Sequence, residues 1–316
     1  SMPMDSTILI TGANGFIGSH FTQLMESLGN RVVPVDVLPR SADLSLLAIQ
    51  TPSRIMNVTD EAPFRELCRL EHPTHIFHAA HPPRDDSPEV LNFCYRAMTN
   101  ILEAARELKV KSVVYSSSGA LYGQLRKKDH APIKEDDPVA IYPTYFYRSG
   151  KIMSEWMGDF YKQKFGVPFV ALRYSSVYGP GLARGIPLEL KKGVLGQPCR
   201  PYLTRLPDDL IYIDDVTDAV RRALFTEEPL SRAYNIALNQ AYGNQDLEDS
   251  IRKALPEISF EIGKHPHAAT VGAHRDRDPL DITRAKEELD WTPTIDLETG
   301  IARVAAWLKS HANRLK

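Results

Sequence analysis

The stretch STILITGANGFIGSH, Ser6 to His20, limits the fold more than any other part of this chain. An apolar run ends at Gly12. Gly12, Gly15 and Gly18 then recur at every third position, and the amphipathic segment FIGSHFTQLMESLG (16–29) closes on Gly29. A buried strand that turns at once into a helix calls for this pattern. The first glycine permits the tight turn, the second lets the backbone approach an anion, and the third lets the helix pack on the sheet. The unpaired amides at the helix start point the same way and suit a pyrophosphate. The spacing predicts a dinucleotide site built from Gly12, Asn14, Gly15, Phe16, Ile17 and Gly18.

RVVPVDV (31–37) reads as the next strand, with Asp36 near its end, eighteen residues after Gly18. An acid at that point hydrogen-bonds an adenosine ribose 2′-hydroxyl and repels a 2′-phosphate, so NAD is expected rather than NADP. Arg40 follows closely. It can bind a phosphate or pair with Asp36, and the sequence leaves both readings open.

The same β-α-β rhythm continues. SRIMNV (53–58), HIFHAA (75–80), SVVYSSS (112–118) and VPFVALRYSS (167–176) read as strands. DEAPFRELCRLE (60–71), the segment 88–109 and the segment 144–166 have helical spacing. Continuously apolar strands alternating with helices predict an α/β fold, a doubly wound parallel (Rossmann) sheet covered on both faces. After Tyr178 the rhythm breaks, and Gly and Pro become dense between Gly179 and Pro207. The expected division is a nucleotide-binding unit over 5–180, to which 209–240 returns. A smaller, interleaved C-terminal α/β substrate unit takes 181–208 and 241–316. Its pieces are a helix at 245–255, a strand near SFEIG (259–263), a polar stretch at 264–281 and a last helix at 297–312.

Composition excludes several classes. A formal charge of −2 with no basic patch argues against nucleic acid. No apolar run approaches a membrane span, and SMPMD has no signal-peptide pattern. Cys68, Cys94 and Cys199 are scattered and odd in number. They form neither a disulfide framework nor a metal site, and they fit a reducing, cytoplasmic setting.

In TYFYRSGK (144–151), Tyr147 and Lys151 are four residues apart, which places both on one face of a helix. Tyr145 lacks that spacing. It and Tyr142 suit packing or a pocket wall.

Taken in order, TGANGFIGSH, HIFHAA, VVYSSSGALYG, YRSGK, LRYSSVYGPG, LIYIDDV and TRAKEELDWTP resemble the extended short-chain dehydrogenase/reductase family, also called the NAD-dependent epimerase/dehydratase family. These stretches span residues 11–293. The resemblance implies a catalytic triad of Ser118, Tyr147 and Lys151, with NAD as cofactor. A free phenol has a pKa of roughly 10 and is a poor base near neutrality, but an adjacent ammonium favours its phenolate. Tyr147 would then take a proton from a substrate hydroxyl, Lys151 would also hold the nicotinamide ribose, and Ser118 would fix the reacting oxygen. By the same resemblance, Asn57 and Val58 would flank the adenine. Ala79, Ala80 and Ser116 would line the cofactor path, and Tyr174 to Val177 would follow the nicotinamide. The resemblance also implies a homodimer, paired through the long helices at 88–109 and 144–166.

The departures bear on substrate. Sugar-nucleotide 4,6-dehydratases resemble S-T-D-E-V-Y-G, whereas Gly119 and Ala120 stand here in place of the two acids that would run an elimination. The Asn that holds a substrate diphosphate in nucleotide-sugar epimerases is replaced by Ser176, and Asp208 would repel a diphosphate. These losses favour a small sugar, sugar acid or polyol over a nucleotide sugar. Arg84, Arg184, Arg275 and Arg277 are candidates for a carboxylate, and His81 and Gly119 for other substrate contacts. The leading expectation is an NAD-dependent oxidoreductase taking hydride from a secondary alcohol. The alternative is an NAD-retaining (nucleotide-)sugar epimerase with the same three residues. A non-catalytic NAD(H) sensor would have no need of the tyrosine base.

Overall fold

The computed structural model describes residues 5–123, 125, 127–140, 145–199, 208–227, 230–258 and 277–315. In chain order the first elements are β1 (Thr7–Thr11), α1 (Phe16–Ser27), β2 (Arg31–Asp36), β3 (Arg54–Ile55), α2 (Glu61–Glu71), β4 (His75–His78), α3 (Glu89–Leu108), β5 (Ser112–Ser116), α4 (Phe146–Phe165) and β6 (Phe169–Tyr174). Then come β7 (Ser176–Tyr178), α5 (Gly185–Val194), β8 (Asp208–Tyr212), α6 (Ile213–Phe225), β9 (Ala233–Ile236), β10 (Ala241–Tyr242) and α7 (Asn244–Ala254). Two further helices, Thr283–Leu289 and Leu297–Ser310, follow.

Seven strands form one sheet in the order β3-β2-β1-β4-β5-β6-β9, with every pairing parallel. Alternate side chains feed opposite faces, as the pleat requires. Ile8 and Ile10 enter one core with Phe21 and Met25 of α1 and Val216 and Val220 of α6. Leu9 enters the other with Phe64 of α2 and Met98 and Ile101 of α3. Water is almost wholly excluded from these side chains, and each one so placed stabilises the fold by about 1.5–3 kcal/mol. The free thiols of Cys68 and Cys94 are buried filler in this packing.

α3 and α4 lie side by side. α4 ends because Gly166 takes a left-handed conformation (φ 70°) and donates its N–H to the Lys162 carbonyl, while the Val167 N–H donates to the Tyr161 carbonyl and Val167-Pro168 leads into β6. Gly158 is needed within α4, where a Cβ would collide with the Phe169 ring.

A second, three-stranded sheet has the order β10-β8-β7. With α5, α7 and the helix Leu297–Ser310 it encloses its own cluster, including Tyr178, Ile186, Leu210, Ile251, Ile301 and Val304. Of the segment expected to return to the large sheet, α6 and β9 do so, while β8 pairs with β7 instead. Asp215 at the start of α6 ties down the tail: its carboxylate accepts from the Thr294 and Ile295 amides, and its carbonyl accepts from Trp291 Nε1 at 2.9 Å. The expected strand at 259–263 and residues 264–276 lie outside the described residues. No described helix is long and apolar enough to cross a membrane.

Candidate active site

The strand order reverses at β1, between β2 and β4, and ligands of such sheets bind beyond the carboxyl ends of the strands at that point. A cleft of about 650 Å³ opens there. Its floor is the glycine turn. Gly12 has φ +64°, and a Cβ on it would run into the Ala79 carbonyl. A Cβ on Gly18 would strike the Gly12 carbonyl, whereas one on Gly15 would meet only that carbonyl, at 3.3 Å. Gly12 and Gly18 therefore close the turn and Gly15 leaves it open. Gly15 is the N-cap of α1 and has no side chain to satisfy the first-turn amides. This cradle fits a dinucleotide pyrophosphate.

Phe16, Ile17, Ala79, Ser116, Tyr174 and Val177 line the cleft together with the three glycines. Asn14, Asp36, Asn57, Val58 and Ala80 do not line it. Asp36 sits at the end of β2, where its carboxylate accepts from the Asn14 N–H at 2.9 Å and the Leu38 N–H at 3.1 Å. Asn14 in turn donates to the Leu38 carbonyl at 2.7 Å and accepts from Ser53 Oγ at 2.6 Å. Arg40 donates to Ser19 Oγ at 3.0 Å. Burial lowers its pKa, and the charges of Asp36 and Glu26 oppose that shift. Asn57 Oδ1 is turned inward to the Thr59 amide and hydroxyl, and the Val58 carbonyl accepts from Asn100 Nδ2.

Ser118, Tyr147 and Lys151 all line the cleft. Ser118 starts a tight turn, Gly119–Tyr122, and its Oγ accepts from the Ala120 N–H at 3.0 Å. Its hydroxyl proton is thus directed elsewhere. Tyr147 is the second residue of α4, where Asp86 caps the helix by accepting from the Phe146 N–H at 2.7 Å. Lys151 is 6% exposed, donates to the Ser116 carbonyl at 2.8 Å, and places Nζ 5.3 Å from the Tyr147 ring centre. Burial opposes the charge on Lys151, but the phenols of Tyr115 and Tyr147 outweigh it and hold the ammonium above its ordinary pKa.

Other phenols nearby are poor bases. Burial pushes Tyr115 up to about 12 and raises Tyr174 further, despite its bond from Ser116 Oγ at 3.2 Å. Burial also raises Tyr145, which stacks on Tyr147 at 6.0 Å. His81 also stacks on Tyr147, at 5.5 Å, and donates from Nδ1 to the Pro82 carbonyl. Desolvation at the cleft wall and the Lys151 ammonium lower its imidazole to about 4, although the residue as a whole is exposed.

Ser176 lines the cleft and donates to Asp208 at 2.9 Å; Ser175 donates likewise to Asp209. Arg84, Arg184 and Arg277 also line it. Arg275 and Tyr142 lie outside the described residues. Gly119 is buried beneath the Tyr174 carbonyl and Arg277. Among the described residues no group of His, Cys, Asp and Glu is placed to hold a metal.

Sequence reasoning missed two supports of this site. Asp86 caps α4 from sixty residues away. Glu155 on α4 holds Ser117 Oγ at 2.6 Å and pairs with Arg173 of β6. No local pattern announces either contact.

Residues 8–237 match the model of the "NAD dependent epimerase/dehydratase family". A putative UDP-glucose 4-epimerase from Methanocaldococcus jannaschii is 28% identical over 324 residues, covering 96% of this chain and 99% of the relative. The structure of UDP-glucose 4-epimerase from Thermotoga maritima with UDP-glucose superposes with a TM-score of 0.80 at 23% identity, covering 97% of this chain and 99% of that one. UDP-glucuronic acid 4-epimerase from Bacillus cereus, solved with UDP-glucuronic acid and NAD, gives 0.78 at 24% identity, covering 96% and 99%. At these identities the two solved structures speak to fold.

Proposed function

This chain belongs to the NAD dependent epimerase/dehydratase family, and on that premise we propose that it is an NAD-retaining epimerase of a nucleotide-linked sugar. The observation that carries the reading is the Ser118–Tyr147–Lys151 cluster in the cleft above the glycine cradle. Relatives named as UDP-glucose and UDP-glucuronate 4-epimerases support it. They weigh against the net oxidation that the motif departures favoured. The same weighing restores a diphosphate as part of the substrate. Arg184, at the start of α5 and on the cleft wall, is the cation we assign to it in place of the missing asparagine.

When bound, NAD would supply the hydride acceptor for the carbinol carbon, and hydride return to the opposite face of the resulting ketone would invert that centre. Gly12, Gly15 and Gly18 would hold its pyrophosphate, and Asp36, at the end of β2, would serve its adenosine ribose. Tyr147 Oη takes the substrate hydroxyl proton as the carbon–hydrogen bond breaks. Lys151, steadied by the Ser116 carbonyl, stabilises the phenolate that results. Ser118 Oγ already accepts from a backbone amide, so its hydroxyl is left to donate a hydrogen bond to the reacting oxygen and fix its position. On return to the alcohol, Tyr147 hands the proton back. The exposed Tyr95 of α3 and Trp156 and Phe160 of α4 are the surface through which we expect two copies to pair.

The test is incubation with NAD and a panel of UDP-sugars. Isomers should interconvert with no accumulation of reduced nicotinamide. Tyr147→Phe should lower turnover about 10²–10⁴-fold while NAD still binds. Stoichiometric NADH release, or full activity in that variant, would overturn the reading.

A further inference from the structure

Arg277 comes from the tail of the chain and meets residues distant in sequence. Its Nη2 occupies the space over residue 119: a Cβ built on Gly119 would lie 3.2 Å from it and 2.9 Å from the Tyr174 carbonyl. Only glycine leaves that room. Gly119 directly follows Ser118, so the guanidinium lies against the residue next to the one assigned to the reacting oxygen. It also acts electrostatically on the Tyr145 phenol, which stacks on Tyr147. Arg277 lines the same cleft as Ser118, Tyr147 and Lys151. Residue 119 is the position where the dehydratase pattern carries an acid, and this chain sets a cation there instead.

The segment behind Arg277 is firmly anchored. Asp278 is 3% exposed and accepts from the Lys127 N–H at 2.6 Å and from His130 Nδ1 at 3.0 Å. Its own N–H donates to the Leu125 carbonyl at 3.1 Å. Ile133 then donates to the Pro279 carbonyl at 2.8 Å and accepts from the Asp281 N–H at 2.7 Å. An arginine held this way is oriented before ligand arrives, which lowers the ordering loss on binding. A planar guanidinium matches a carboxylate through two parallel hydrogen bonds, and a neutral hydroxymethyl group offers no such match.

We infer that Arg277 reads the carboxylate of a nucleotide-linked uronic acid, making acidic sugars the preferred substrates. The inference rests on the epimerase reading for the nucleotide and on Arg277 for the acid. The test is calorimetric titration of the NAD-loaded protein with UDP-glucuronic acid, UDP-glucose and free glucuronic acid, alongside product analysis. Wild type should bind UDP-glucuronic acid at least tenfold tighter than UDP-glucose. Arg277→Gln should bring the two within threefold by weakening the acid alone, and Arg277→Lys should recover part of the difference. Gly119→Ser, which displaces the guanidinium without removing it, should cause the same selective loss.

Equal weakening of both UDP-sugars by Arg277→Gln would overturn the inference. So would wild-type binding of UDP-glucose as tight as that of the acid. If UDP-glucose and UDP-galactose interconvert while UDP-glucuronic acid is ignored, the inference falls and the epimerase reading stands. If the acid binds selectively but is oxidised with net NADH, the epimerase reading falls and Arg277 keeps its role. Free glucuronic acid binding as tightly as its UDP form would keep Arg277 on the carboxylate and remove the nucleotide.

Discussion

Replacing Glu155 by leucine should destabilise the folded protein by about 4–6 kcal/mol. Glu155 and Arg173 are 4% and 2% exposed. Arg173 Nη2 donates to Glu155 Oε1 at 2.7 Å and Nε donates to Oε2 at 3.0 Å. Arg173 Nη1 donates to Tyr122 Oη at 2.9 Å and the Glu135 carbonyl at 3.0 Å. Breaking a buried pair from one side strands the other charge and costs about 3–5 kcal/mol. Ser117 loses its acceptor as well, for about 1 kcal/mol more. At about 2 °C per kcal/mol for a chain of this size, the melting point should drop by roughly 10 °C. The double variant Glu155→Leu/Arg173→Met buries no charge and leaves Tyr122 its bond to Asn235 Oδ1. It should return to within about 2 kcal/mol of wild type. Urea unfolding of all four proteins measures the cycle. In the double variant kcat should stay depressed with KM little changed, since Ser117, the neighbour of Ser118, is still unheld. A single variant within about 1 kcal/mol of wild type, or a double as unstable as the sum of the singles, would refute the reasoning.

Asp36→Ala should lower the preference for NAD over NADP at least tenfold in equilibrium binding; an unchanged ratio would remove the ribose contact. Buried His20, His75 and His78, pushed down to about 4, 4 and 3 by loss of solvent, stay neutral in the folded protein while the unfolded chain protonates below roughly 6.5. The stability they support is full above that pH and falls as acid is added. Asp209 and Asp159 act oppositely: burial raises both to about 6, so the folded protein takes up their protons and gains stability as the pH falls through 6. The histidines thus favour loss of stability as acid is added, and the raised carboxylates offset part of that loss between about pH 6 and 5. Asp209→Asn should steepen the fall of urea midpoints between about pH 6 and 5, and an unaltered slope would contradict the assignment. Trp156→Glu with Phe160→Glu should yield a monomer in sedimentation velocity if these exposed rings join two copies; a dimer that persists rules that surface out.

The parts legible in the sequence are those with a short period. The glycine turn repeats every three residues, β1 is continuously apolar because both its faces are covered, and Tyr147 and Lys151 share a helical face at a spacing of four. The illegible parts are pairings between distant segments. β8 has the apolar look of a core strand, and only its partner decides which sheet it joins. Asn57 stands at a position expected to face adenine, yet its side-chain carbonyl closes its own turn on Thr59. Asp86 looks like a solvated loop charge and Glu155 like a solvated helix charge until the fold brings Phe146 and Arg173 to them. A one-dimensional pattern carries no information on which charge will be buried beside which.

α4 has one further consequence. Tyr147 and Lys151 occupy its first turns, Glu155 bolts its middle to β6, and Gly158 lets it lie flush on Phe169. The two groups we propose to handle the proton are thus tied to the core through the same helix that packs on β6. Gly119, Arg184 and Arg277 sit on turns and element ends. A lineage built on this plan can acquire a new diet by rewriting its rim while its chemistry stays put.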